Sequence, residues 1–332
     1  MRLLPSISPV IMSSVPTFTE TWGCQMIAYI LNTGLFGIAA LLVGQYFHSF
    51  SKKDSVLIKG TMGAIGLFAT AQFVFITHQI YTDYVTRFSN IESLDDIVMS
   101  APLQLLFIYL TAFTTQCFFA SRIWAIAHLK QRVFWTAPVL LLALLQIGAG
   151  ITQTVLVFKV GKYSILETTA KVTSLQSGAT AVCDMLITFI LCYILHDAKS
   201  GIRRTNTMIN KMILFCISRG AVTSLAALLN LIFFVSKPGT FIFMIPLETS
   251  SQLYAISVAT MLNTREALRA NLHADITSLP SSHALSDIAP SRHSQSKQRG
   301  LNVQVHTDIL TLHDKNYEHE PTWVKQHNGS TV

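Results

Sequence analysis

Four polar residues stand inside stretches that are otherwise apolar: Asp184, Arg219, Glu248 and Gln252. An ionised side chain at mid-bilayer costs about 2.5–3.5 kcal/mol on insertion scales, so such residues face a bundle interior and find a partner or water there. That chemistry suits a pocket for a polar ligand or the lining of an ion path. It also suits a structural task, hydrogen bonding between helices. At ~1.5 Å per residue from the basic ends of their segments, Asp184 lies about 16 Å deep and the Arg219 backbone about 10 Å. An arginine side chain spans much of that gap, so the two are expected to pair, directly or through a polar bridge such as Gln252. Gln72, His78, Gln116, Gln146, Gln153 and Asn230 are also embedded in apolar runs. For the amides among them interhelical bonding is the simpler reading.

Catalytic patterns do not occur. The chain has no Walker-type glycine loop, no G-x-S-x-G elbow, and no H-E-x-x-H or C-x-x-C pair, so neither a nucleophile with its base nor a metal set is nominated. The expectation is therefore a protein that is not an enzyme, with no metal and no cofactor. Seven of the 11 histidines fall after residue 264 at spacings that do not place two on one helical turn. Cys117, Cys183, Cys192 and Cys216 lie inside apolar runs and only Cys24 is near a loop, which makes them small packing residues rather than disulfide partners.

The elements that position these side chains follow from composition. Of 332 residues 51% are hydrophobic and only 12% are charged, about half the share of a soluble domain. Residues 264–332 carry seven Lys/Arg and seven Asp/Glu, so the net charge of +7 sits on the apolar part. This excludes a soluble enzyme, a nucleic-acid binder and a disulfide-stapled secreted domain. Seven stretches approach the ~20 residues that a hydrocarbon slab of ~30 Å requires. They are about 25–47, 56–81, 102–125, 134–158, 172–195, 212–235 and 241–262. The fold class expected is an all-α membrane protein, a seven-transmembrane-helix bundle over residues 25–263.

Basic residues orient it. The first, third and fifth loops and the C-terminal tail hold 17 Lys/Arg, whereas the N-terminal segment 1–24 and the other loops hold six, with Arg219 left inside a span. The N-terminus is thus expected outside and the tail in the cytosol, with the plasma membrane as host. Lys159, Lys162 and Lys171 oppose this trend. Residues 264–276 place Ala267, Leu268, Leu272 and Ile276 on one helical face, the pattern of an amphipathic juxtamembrane helix. Residues 277–332 read as a disordered cytosolic tail, a place for an unknown cytosolic protein to bind. Lys199, Arg203, Arg204 and Lys211 form a basic cluster at headgroup level, where anionic lipid is attracted by ~1 kcal/mol per charge.

Several local sequences act together as a signature. Gly44-Gln45-Tyr46 closes the first span, Cys117-Phe118-Phe119-Ala120-Ser121-Arg122-Ile123-Trp124 the third, and Gln146-Ile147-Gly148-Ala149-Gly150 lies in the fourth. The longest stretch starts at Asp184 and runs through Gly201-Ile202-Arg203-Arg204-Thr205-Asn206-Thr207-Met208-Ile209-Asn210-Lys211, Gly220-Ala221-Val222-Thr223-Ser224-Leu225 and Leu253-Tyr254 to Leu262-Asn263-Thr264-Arg265. In these residues the chain resembles a fungal, basidiomycete-type family of multi-pass membrane proteins that end in a domain of unknown function. The resemblance covers about 25–265, its C-terminal family-like part about 172–265. It implies a seven-helix bundle and no established activity. Arg219 and Ala255 depart from it, because relatives carry a neutral residue and a polar one there. Span count, orientation and tail together suggest a receptor-like or sensory protein. The alternative is a transporter or channel whose path is lined by Asp184, Arg219 and Glu248.

Overall fold

A computed structural model describes residues 17–50, 54–88, 90–129, 131–197, 203–237 and 239–277. All of them belong to one compact unit that ends at Leu279. Seven long helices account for most of it: α1 Cys24–Gln45, α2 Val56–Tyr81, α3 Ser100–Ile126, α4 Arg132–Val160, α5 Ala170–Asp197, α6 Arg203–Ser236 and α7 Met244–Thr277. Among the described residues there is no strand, only an isolated antiparallel bridge between Asp96 and Lys162. Consecutive helices pack side by side and α7 returns to α1, so the bundle closes on itself. Within this ring α3 also touches α5 and α7, which makes it the central helix.

The bundle buries polar side chains among apolar ones and turns large apolar ones outward. Gln25, Gln72, Gln116 and Gln146 are fully buried, whereas Leu41 is 77% and Phe189 63% exposed. Water would penalise that arrangement and hydrocarbon rewards it. Six helical segments are long and apolar enough to cross a membrane: Thr19–His48, Val56–Thr86, Ser100–Ile126, Arg132–Val160, Tyr163–Asp197 and Ile213–Ser236. α7 is not among them, because its first half carries Glu248, Thr249, Ser250, Ser251 and Gln252 in succession.

Two helices run further than the charge pattern suggests. α6 begins at Arg203, not near residue 212, since no glycine or proline interrupts the chain after Gly201. α7 continues unbroken to Thr277, so residues 264–276 extend the last helix. Pro246 lies in the first turn of that helix, where the missing N–H has no intrahelical partner to lose. Residues 1–16 and 278–332, including the tail at 280–332, lie outside the described residues.

Close helix contacts depend on two glycines. A Cβ on Gly220 of α6 would overlap Thr188 Oγ1 and come 2.7 Å from its Cβ, on α5. A Cβ on Gly150 of α4 would come 2.6 Å from the Tyr109 ring of α3. Apolar side chains fill the end of the bundle that carries the α1–α2, α3–α4 and α5–α6 loops, with Met62, Ile65, Phe119, Ile123, Ile187, Ile190, Val258 and Leu262 at its centre. The opposite end is a cap built from loops. Asp95 accepts from the Ser164 N–H and hydroxyl at 2.8 Å each, the Tyr163 N–H donates to the Asp95 carbonyl at 2.9 Å, and the Phe241 N–H donates to the Glu20 carbonyl at 2.9 Å. Trp22 packs edge-on against Tyr84, Tyr163 and Phe241 with ring centroids 6.3, 5.7 and 5.3 Å apart. The lysine-bearing loop before α5, which defies the charge pattern, is thus tied to the acidic loop after α2.

Candidate functional site

Asp184 on α5 and Arg219 on α6 meet in the core. Arg219 Nη2 lies 3.4 Å from Asp184 Oδ1, and their side chains are 2% and 0% exposed. The bridging partner is Tyr254 of α7, not Gln252: its hydroxyl donates to Asp184 Oδ2 at 2.6 Å. Arg219 also lies over the Phe119 ring of α3, with Cζ 3.9 Å from the centroid, the geometry of a cation–π contact. Four helices therefore converge on one ion pair. Both Asp184 oxygens are engaged, while Arg219 Nε and Nη1 have no hydrogen-bond partner. An unmet buried donor costs ~1–3 kcal/mol, so the guanidinium is held in place but under-satisfied.

Gln252 does a different job. Its side-chain N–H group donates to Gln72 Oε1 at 2.8 Å and to the Ala69 carbonyl at 3.2 Å, tying α7 to α2. Among the other embedded polar residues, Gln153 donates to Thr169 at 3.1 Å, Asn230 to Ser177 at 2.9 Å, and His78 Nδ1 lies 3.1 Å from Ser100 Oγ. These are the interhelical and helix–loop bonds that membrane bundles use. Gln116 and Gln146 are buried with neither amide atom partnered.

Glu248 stands apart from the ion pair. It lines a cavity of about 60 Å³ between α3, α4, α5, α6 and α7, directly under the cap, together with Gln104, Tyr109, Gln153, Tyr163 and Asn230. Gln104 reaches this cavity through a bonded series in which its amide donates to Gln79 Oε1 at 2.6 Å and the Gln79 amide donates to the Tyr163 hydroxyl at 2.8 Å. A second cavity, about 20 Å³, is lined by Asn230 and Leu247 as well and extends to Gln176, Thr180 and Tyr254. A column of two small cavities, mostly apolar in surface, thus runs from the cap to Tyr254, the partner of Asp184, on one side of the apolar plug that contains Ile187 and Val258.

The four sequence-nominated residues accordingly fall in three places: Asp184 with Arg219 beyond Tyr254, Glu248 in the upper cavity and Gln252 outside both cavities, against Gln72 of α2. The basic cluster is not gathered into a site here. Lys199 lies outside the described residues, as do the side chains of Arg203, Arg204 and Lys211 on the first turns of α6. Tyr254 and Phe119 were not singled out as site residues. Helical periodicity carries a signal for Tyr254, since Leu247, Ser250 and Tyr254 follow one another along a single helical face. Phe119 stands in the signature stretch that closes the third span, but nothing there marks it as a partner of Arg219. Among the described residues no group of three or more His, Cys, Asp or Glu side chains is placed to hold a metal ion.

The stretch that builds the floor of the column has relatives. Residues 180–267 match a family of unknown function, DUF6534. The matched stretch contains Asp184, Arg219, Glu248, Gln252 and Tyr254, whereas Phe119 and the α3 and α4 walls of the cavity lie outside it. No curated protein and no solved structure matches the chain.

Proposed function

We propose that this is a receptor-like, sensory membrane protein of seven spans, with its N-terminus outside and its tail in the cytosol. The observation that carries the reading is the one-sided column of cavities. Cavities lie beneath the cap and reach Tyr254, which bonds the ion pair between α5 and α6, while a packed apolar plug fills the other end. A channel needs a polar route to both faces; a sensor needs a ligand space on one side and a bistable contact below it. Arg219, with two donors unmet, suits the second role, because a small shift of α6 or α7 gives it new partners. α7 counts as the seventh span in this reading. Its polar residues Glu248, Ser251, Gln252 and Tyr254 are all buried against other helices, not turned to lipid.

Two measurements test this. Protease-cleavable tags before Met1 and after Val332 are expected to be cut from opposite faces of sealed vesicles; both ends on one face removes the seventh span. A conformational probe on the tail of the reconstituted chain is expected to respond to a ligand that stabilises the protein. Uptake of that ligand into vesicles, with no tail response, establishes the transporter reading in its place.

A further inference from the structure

One exposed row on α5 changes character along its length. Val182, Met185, Phe189 and Tyr193 are between 45% and 63% exposed and follow one another at the three- and four-residue steps of a single helical face. From Val182 to Tyr193 the rise is about 16 Å at ~1.5 Å per residue, half of a hydrocarbon slab of ~30 Å. One turn further stands Asp197, whose side chain is 68% exposed. There α5 meets the α3–α4 turn around a cavity of about 160 Å³, lined by Ile126, His128, Gln131, Trp135, Tyr193 and Asp197 among others. The Trp135 and Tyr193 rings pack together with centroids 5.5 Å apart and planes tilted by 40°. The indole N–H of Trp135 donates to Gln131 Oε1 at 3.5 Å, which uses its one polar donor. His128 Nε2 lies 3.8 Å from Asp197 Oδ2, a contact that is an ion pair only when the ring is protonated. Leu129, Val133 and Phe134 beside the cavity are exposed as well, which sets this end of α4 at the depth where acyl chains meet headgroups.

We propose that this cavity holds the quaternary ammonium of a phosphatidylcholine headgroup, with the lipid's chains lying along the row from Val182 to Tyr193. A quaternary ammonium has no N–H to donate, so aromatic rings and a carboxylate hold it, not hydrogen bonds. Trp135 and Tyr193 supply the rings and Asp197 the counter-charge. Along α5 the order is hydrocarbon, aromatic ring, carboxylate, which complements a lipid read from its tail to its cationic end. Size agrees. At about 160 Å³ the space equals about five waters' share of liquid volume, room for a trimethylammonium group and not for the phosphate and glycerol behind it. Those lie outside the cavity. Arg132 stands at that edge, held by its Nε donating to the Ala127 carbonyl at 3.1 Å, and carries the right charge for a phosphate. A headgroup that ends without a cation does not suit the cavity, because nothing in it would answer Asp197. The inference requires the bundle to lie in a bilayer and is independent of any sensory role.

The test uses the full chain in maltoside micelles, titrated with dihexanoyl phosphatidylcholine, a short-chain lipid that dissolves as a monomer. Tryptophan fluorescence and the thermal midpoint report binding. Saturable binding is expected, and dihexanoyl phosphatidylglycerol, with the same chains and no ammonium, should not saturate. Asp197→Asn keeps the shape and removes the charge, and Tyr193→Leu keeps the apolar bulk and removes the ring. Each should weaken binding about two- to fivefold. Equal titrations with the two lipids overturn the proposal, as does unchanged affinity in both variants. Choline chloride separates the sources: saturation at lower concentration than the lipid assigns the cavity to a soluble choline compound and removes the lipid. If a variant does not fold, native mass spectrometry of the wild-type chain with both lipids decides. One choline lipid retained per chain in preference to the glycerol lipid supports the site, and equal retention removes it.

Discussion

Removing either member of the Asp184–Arg219 pair should be costly, and the two losses should be unequal. At 3.4 Å and an effective dielectric of about 20, their attraction is about 5 kcal/mol. Most of that is offset in the intact protein by the cost of taking both charges out of water, so the pair is better described by what breaking it exposes. Asp184→Ala strands a guanidinium that cannot lose its proton and that already has two unmet donors. The expected loss is about 4–5 kcal/mol, the upper end for a broken buried pair. Arg219→Ala leaves Asp184 with the Tyr254 hydroxyl at 2.6 Å, so the expected loss is nearer 3 kcal/mol. Tyr254→Phe removes one hydrogen bond to a charged group and should cost about 1–2 kcal/mol.

The double substitution of Asp184 and Arg219 by Ala removes both charges at once. It should be at least ~2 kcal/mol less damaging than the sum of the two singles. The assay is equilibrium unfolding of purified protein in mixed micelles, with folded yield after size-exclusion chromatography for variants too unstable to titrate. Additive losses, or an Arg219→Ala variant weaker than Asp184→Ala, would refute the reasoning.

Two further outcomes follow from packing. Gly220→Ala places a methyl group 2.7 Å from the Thr188 Cβ, which a rotamer change cannot relieve. It should lower stability by about 1–3 kcal/mol, and Thr188→Gly in the same chain should restore most of the loss in the same unfolding titration. Trp22→Ala empties the centre of the aromatic cap and should cost about 3–5 kcal/mol, with faster hydrogen exchange at the start of α1 and in the Tyr163–Thr169 turn that faces it. Unchanged exchange there would show that the cap does not seal that end.

Much of the architecture could be read from the sequence because it follows from simple quantities. Apolar length and the basic residues between runs place the first five helices within a few residues of their observed bounds. The meeting of Asp184 with Arg219 follows from depth and reach alone. What escaped was decided by packing. Tyr254, not Gln252, completes the pair because of how α7 is rotated, and a one-dimensional count of depth contains no rotation. Phe119 is one of 20 phenylalanines and becomes distinctive only once Arg219 lies over it. The cavity amides Gln104, Gln153 and Asn230 each look like ordinary interhelical glue. Their common feature, an oxygen left over after the nitrogen is bonded, exists only in three dimensions.

The number of spans and the location of the site are one question. α7 falls short as a membrane helix because of Glu248, Ser251, Gln252 and Tyr254, of which Glu248 and Tyr254 line the cavities while Ser251 and Gln252 bond α7 to α3 and α2. Their cost of transfer is set by the bundle they enter and not by lipid. With α1, α2, α3 and α6 around it, the polar face of α7 meets Gln72, Thr111 and Asp184 at hydrogen-bonding distance, while Met261 and Ile256 pack against the apolar plug. A hydropathy average treats every residue as lipid-facing and so penalises the helix most in contact with the interior. The same logic applies to Arg219, which would be prohibitive on an isolated helix and is tolerable where Asp184 and Phe119 already stand. Replacing Glu248, Ser251 and Gln252 by leucine should therefore make α7 more apolar and the protein less stable, because Gln72 would lose its bond from Gln252 and Thr111 its bond from Ser251. A gain in folded yield from that triple substitution would mean that α7 turns its polar face outward, and the seventh span would go with it.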